Sequence, residues 1–275
     1  MAEQITMKLT LNKIFNFNKY KNLYPYSVFK TYFLKEKISV SDFFVFRLDD
    51  YETIFLAENT LSLVLAEKIK CKHSLHFYCE EGNLINTHSI ETEDFFKEIK
   101  FSKSMTNGVE VGLFIHQIDY DQNIKYQYND IFDSVSFQHR GYSGYRKLGK
   151  SAYSFVHGNF GSIYQDNIGK LETFARQRKS FSYTPQMEII PNTNYELYFT
   201  NPTKRNLQIS LLLSGKNLKT EFFRKIDIKP FGFKCINLKS NDLEGASNFS
   251  WVTKLPVGRA LIFEHFQKGF DVFHS

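Results

Sequence analysis

The chain has 275 residues, 23% of them charged, and a formal net charge of +6. That length and charge content exclude wholesale disorder and leave room for one large domain or two of ordinary size. Phe (29) and Tyr (16) are used heavily against a single Trp. A skew toward Phe, Ile, Asn, Lys and Tyr follows from AT-rich codons alone, so the basic balance is weak support for a polyanionic partner.

The N-terminal stretch MAEQITMKLTLNKIFNF shows no apolar leader region. Residues 19–35, KYKNLYPYSVFKTYFLK, are the best helical candidate, interrupted by Pro25. From there the dominant period is two. LSLVL at 61–65, SLHFYC at 74–79, VEVGLFIHQI at 109–118, YELYF at 195–199 and LQISLLL at 207–213 read as strands. Turn clusters such as EEGN, TNG, NPTKRN, SGKN and LPVG bound them. The longest apolar runs, SLLL and ALIF, fall far short of the roughly 20 residues that span a bilayer. Cys71, Cys79 and Cys235 form no CxxC pair, and their odd number leaves a thiol over. The expectation is a soluble, cytoplasmic, all-β protein of the antiparallel sandwich class.

Sliding the chain against itself suggests a repeat. A shift of 134 sets Leu61, Leu63 and Leu65 on Tyr195, Leu197 and Phe199, and Leu75 and Phe77 on Ile209 and Leu211. A shift of 148 sets Leu113, Phe114 and Ile115 on Leu261, Ile262 and Phe263. Read together, these predict two related β-sandwich domains in tandem. The N-terminal one covers 1–130 with a partly helical lead, the C-terminal one covers 181–275, and an aromatic, basic hairpin segment at 131–180 joins them.

That middle segment holds the candidate site. Between His139 and Ser180 lie Arg140, Arg146, Lys147, Lys150, Lys170, Arg176, Arg178 and Lys179, opposed only by Asp166 and Glu172. The excess of basic over acidic residues there equals that of the whole chain, and Arg has the planar fork suited to carboxylate and phosphate. SVSFQHRGYSGYR and SAYSFVHGNF read as the arms of a hairpin turning at Gly149. A three-residue loop Lys147-Leu148-Gly149 would place His139 directly opposite His157, with Tyr145 and Tyr153 on the same face.

Three functions compete for it. The first is non-catalytic binding or assembly, with His139, Arg140, Tyr142, Tyr145, Arg146, His157 and Asn159 contacting an anionic sugar or phosphate-bearing ligand. The second is an enzyme acting on a sugar-like substrate, with His139 or His157 as general base. The third is a structural protein that forms a homo-oligomer through an exposed edge strand.

Other chemistry finds little support. GxSxG, HExxH, P-loop and GxGxxG-helix patterns are missing. His73 and His76 fall on opposite faces of a strand and cannot chelate together, His116 is expected to face solvent, and no HxH occurs, so no metal or cofactor is implied. The paired carboxylates, such as Asp49-Asp50 and Glu80-Glu81, lie beside turns rather than in an apolar cleft. No RNP1, KH, zinc-finger or helix-turn-helix pattern points to nucleic acid.

Overall fold

The computed structural model describes residues 28–30, 40–139, 141–162, 181–201, 206–215, 221–253, 260–267 and 269–274. The protein is all-β, built on four sheets. The first sheet runs β6 (Phe96–Lys100), β3 (Tyr51–Glu58), β9 (Gly141–Lys147), β10 (Ser154–His157). The second runs β1 (Val28–Lys30), β8 (Val135–His139), β2 (Val40–Arg47), β7 (Val111–Asp119), β4 (Cys71–Tyr78), β5 (Leu84–Thr92), and β11 (Asn159–Ser162) also pairs with β2. The third runs β16 (Phe233–Leu238), β13 (Asn194–Thr200), β18 (Leu261–Phe266), β19 (Gly269–His274). The fourth runs β12 (Phe181–Tyr183), β17 (Asn248–Thr253), β14 (Leu207–Ser214), β15 (Glu221–Ile228). Among the described residues every pairing is antiparallel except β2 with β8.

Period-two patterning explains the stacking. Phe44, Phe46, Phe77 and Phe114 from the second sheet meet Phe55, Ala57 and Ile99 from the first. Leu197, Phe199 and Ile262 from the third meet Ile209, Leu211, Phe249 and Trp251 from the fourth. A further apolar layer joins the second sheet to the third: Phe43, Val45, Leu113, Ile115 and Tyr78 pack on Tyr198, Phe233, Leu261, Phe263 and Val272. The second and third sheets are therefore buried on both faces, at roughly 1.5–3 kcal/mol for each large side chain removed from water. The two sheet pairs also touch through main chain. Gly82, in a left-handed turn at φ +84°, lies so close to Pro230 that a Cβ would overlap its carbonyl oxygen, and Gly232 approaches Glu80 in the same way.

The strand order of the C-terminal pair reproduces that of the N-terminal one. β16-β13-β18-β19 follows β6-β3-β9-β10, and β12-β17-β14-β15 follows β2-β7-β4-β5. Registers agree as well: Phe55 faces Ser143 and Ile99 as Leu197 faces Ile262 and Ile236. Both β4–β5 and β14–β15 shift register near the end of the first strand, at Phe77/Tyr78 and Leu211/Leu212.

Several expectations change. Thr60–Leu65, read as a strand, is a short helix, α1. Asn59 accepts from Ser62 N at its start and Ala66 closes it at φ 57°. A five-residue apolar run carries no period strong enough to separate the two states. Of the 19–35 candidate only Val28–Lys30 is described, as strand β1; the rest lies outside the described residues. Leu113–Ile115 lie in β7, whose counterpart by topology is β17, so their match to Leu261–Phe263 of β18 is a coincidence of alternation. The hairpin read as a linker instead supplies β9 and β10, two of the four strands of the first sheet. Among the described residues no helix is long and apolar enough to cross a membrane.

Candidate binding face

Alternation along β9 divides the central segment. Gly141, Ser143 and Tyr145 turn inward and are buried, while Tyr142 and Arg146 turn outward and are half-exposed. On β10, Val156 turns inward, and Phe155 and His157 turn outward. Across the outer face of the first sheet the rows read Lys100–Ile54–Gly144–Phe155 and Glu98–Leu56–Tyr142–His157.

Gly144 flattens this face. A Cβ there would lie 2.6 Å from Phe155 Cε1 and 2.9 Å from Ile54 Cγ1, so the Phe155 ring covers bare backbone. Phe155 nevertheless remains 47% exposed. Its ring centroid is 5.9 Å from that of Tyr153, and the Arg146 guanidinium carbon lies 4.7 Å above the Tyr153 ring. Glu52 closes the row: it pairs with Arg146, accepts from Lys100 Nζ at 3.2 Å and from Tyr153 Oη at 3.0 Å. The hydrogen bonds from Arg146 and then Lys100 hold its carboxyl down at about 2.

The structure thus gathers three of the seven anticipated contacts, Tyr142, Arg146 and His157, and adds Glu52, Tyr153 and Phe155. Tyr145 does not belong with them: it is fully buried and its hydroxyl donates to the Val45 carbonyl at 2.6 Å. The observed register pairs His157 with Tyr142 and Ser154 with Tyr145, so Tyr145 and His157 point to opposite faces. Gly149 does supply the positive φ (79°), but unpaired residues up to Tyr153 lengthen the loop beyond three. His139 ends β8 opposite Ser41, in the second sheet, so no hairpin register brings it across from His157. Asn159 begins β11, paired with Phe43 of that same sheet. Arg140 lies outside the described residues.

His157 sits where the edges of β10 and β19 meet. Its Nδ1 is 2.9 Å from the Gly158 carbonyl oxygen, to which it donates. Its ring centroid lies 4.9 Å from that of His274, whose Nε2 meets the His157 carbonyl. The void beside them, against Tyr145 and Leu261, is about 10 Å³, too small for a substrate. A larger open recess of about 640 Å³ flanks His274, walled by Met187, Ile190 and Phe273 with Glu188 and Glu264 on its polar side.

Two polar constellations escaped the sequence reading. Arg47, buried between the sheet pairs, takes Asp49 as a two-pronged partner (2.6 and 3.2 Å) and pairs across the junction with Glu196. His265 lies 3.5 Å from the same carboxylate. The rings of Tyr51 and Phe263 lie 4.1 and 4.9 Å from the guanidinium carbon. Burial opposes the charge of Arg47, but the hydrogen bonds to Asp49 and the nearby Tyr198 and Glu196 outweigh it and push its pKa up.

In the N-terminal pair, Cys71 Sγ lies 3.4 Å from His73 Nε2, and His73 Nδ1 lies 2.9 Å from His116 Nε2. Both imidazoles are fully buried, which corrects the expectation that His116 faces solvent. Burial, reinforced by the charge of Lys97, pushes the His73 pKa down to about 4, and burial pushes the Cys71 thiol up to about 12. A neutral thiol shut away from solvent is a poor nucleophile. Among the described residues no three His, Cys, Asp or Glu side chains converge as a metal site.

No family model, curated protein or solved structure matches the chain.

Proposed function

We propose that the protein is a non-catalytic binding or assembly module, two β-sandwiches arisen by duplication, and that its working surface is the outer face of the first sheet. One observation carries this reading. The equivalent face in the third sheet, with rows Asn237–Glu196–Phe263–Val272 and Cys235–Tyr198–Leu261–His274, is packed against the second sheet. The first-sheet face keeps aromatic and aliphatic residues in the corresponding rows, yet leaves Phe96 and Phe155 about half exposed.

An anionic sugar is the ligand favoured by the local chemistry. Tyr153 and Phe155 offer stacking surface for the apolar face of a pyranose. Arg146, held flat over Tyr153, and the 59%-exposed Lys100 supply cations for a carboxylate or phosphate substituent.

The test is a map of backbone amide shifts with two arms, one titrating in a hexuronic-acid oligosaccharide and one raising protein concentration alone. Movement in either arm confined to β3, β6, β9 and β10 is the expected result. If neither arm moves these amides, or both move only residues around the recess beside His274, the reading is wrong.

A further inference from the structure

We infer that the outer face of the first sheet is the contact of a closed, two-fold homodimer, in which it packs against the same face of a second copy. The inference rests on the reading of that face as the working surface and names its partner.

The internal junction supplies the template. In the C-terminal sheet pair, the face built from β16, β13, β18 and β19 buries Tyr198, Phe233, Leu261, Phe263 and Val272 against the second sheet. The corresponding positions in the first sheet, read through the shared register, are Leu56, Phe96, Tyr142, Gly144 and Phe155. Four of the five are large and apolar or aromatic, and the exposed pair Phe96 and Phe155 stand near opposite edges of the sheet. A face of the same architecture and strand count is thus buried within the chain once, and once keeps two exposed aromatic rings although its Ile54 and Glu58 are buried.

If a second copy repeated the internal junction, the first sheet would dock on the outer face of the fourth, which corresponds to the docking face of the second. Such head-to-tail contacts do not close and give filaments. The fourth sheet is not built for that role. In the second sheet the outward rows read Phe43–Ile115–His76–Thr87 and Val45–Leu113–Tyr78–Leu84. In the fourth they read Ser182–Val252–Ser210–Lys225 and Ser250–Leu212–Phe222. Serine replaces Phe43, Leu113 and His76, as a polar cap on the terminal unit of a repeat requires.

The first-sheet face has a composition suited to meeting itself. Its solvent-accessible outward charges are Glu52, Glu98, Lys100 and Arg146, two of each sign, while Glu58 on the same face is buried. An isologous contact therefore needs no like-charge face to meet its double.

The test is sedimentation equilibrium of the full chain over a wide concentration series. Wild type is expected to move from monomer to dimer and stop there. Phe155→Glu and Phe96→Glu should each weaken association by about tenfold or more, because each would bury a carboxylate where an exposed aromatic ring meets the partner. Phe222→Glu, at a 62%-exposed position of the fourth sheet, should leave association unchanged. Circular dichroism of each variant checks that it folds.

A monomer at every concentration, or a dimer untouched by both first-sheet substitutions, overturns the inference. A ladder of higher masses sensitive to Phe222→Glu overturns closure in favour of head-to-tail growth. Monomeric protein whose first-sheet amides still respond to the acidic oligosaccharide sinks the dimer and leaves the binding reading standing. Silence in both measurements sinks both.

Discussion

The outer faces of the first and third sheets share strand order and register but meet different fates, and the difference lies in a few side chains. Where the third sheet has Phe263 at the centre of a row, the first has Gly144 with Phe155 folded over it. Where the third places Glu196 to receive Arg47, the first places Ile54. Backbone topology thus fixes which faces exist. The choice of side chains decides whether a face closes on its own chain or stays open.

The largest expected effect tests the closed face. Arg47→Leu removes the cation shared by Asp49 and Glu196 and leaves two carboxylates at a half-buried junction. Loss of one partner from such a pair costs about 3–5 kcal/mol. Urea denaturation of the full chain is the measurement. A loss below about 1 kcal/mol would mean that the apolar layer alone holds the sheet pairs together.

The second effect separates the two sheet pairs by acid. His73 has its pKa lowered from 6.5 to about 4, so the folded state binds fewer protons than the unfolded chain between those values. Its contribution is fully present above pH 6.5 and is lost as pH falls toward about 4, amounting to about 3 kcal/mol in all. The C-terminal pair has Thr253 opposite Ile209 where the N-terminal one has His116 opposite Leu75, and so lacks this buried imidazole chain. Amide exchange at pH 5 should therefore accelerate in β4 and β7 before β14 and β17. Equal acceleration in both would show that the acid-sensitive group lies elsewhere.

How much of this was legible in the sequence follows from the same physics. Alternation named the all-β class, but it did not set the repeat: the shift that put Leu75 and Phe77 of β4 on Ile209 and Leu211 of β14 also put the helical Leu61–Leu65 on β13, which holds the place of β3. It misplaced His116 because β7 is central. With Leu113 and Ile115 buried on one face and Phe114 and His116 on the other, period two no longer says which face is wet. Within the candidate site, Tyr142, Arg146 and His157 fell on one face, whereas Tyr145 did not. The loop length set the register parity, and Gly149 alone could not report it. Arg47 left no signal of the junction, since Asp49 two residues on reads as an ordinary turn charge and the partner across the junction, Glu196, lies on a different sheet far along the chain.

A smaller effect compares two equivalent asparagines, Asn59 after β3 and Asn201 after β13. Asn59 donates to the Ile69 carbonyl at 2.7 Å, accepts from Tyr120 Oη at 3.0 Å and caps α1. Asn201 donates to the Ile228 and Lys229 carbonyls at 3.1 and 2.9 Å. Asn59→Ala is expected to cost about 2–3 kcal/mol and Asn201→Ala about 1–2 kcal/mol in denaturant midpoints at fixed m-value. The reverse order would show that the helix cap adds nothing to the side-chain bond that each asparagine makes to a backbone carbonyl.

The smallest effect lies on the open face itself and separates its two cations. Lys100 meets Glu52 at 3.2 Å while 59% exposed, so Lys100→Ala should cost under about 0.5 kcal/mol, within the range of surface ion pairs. Arg146 shares the same carboxylate but also covers the Tyr153 ring, and Arg146→Ala should cost more than Lys100→Ala because packing is lost with charge. Raising ionic strength separates the two contributions: the Lys100 term should vanish, while the stacking part of the Arg146 term should persist. Equal salt sensitivity in both variants would mean that Arg146 acts as a point charge alone, and would remove the platform on which the sugar reading depends.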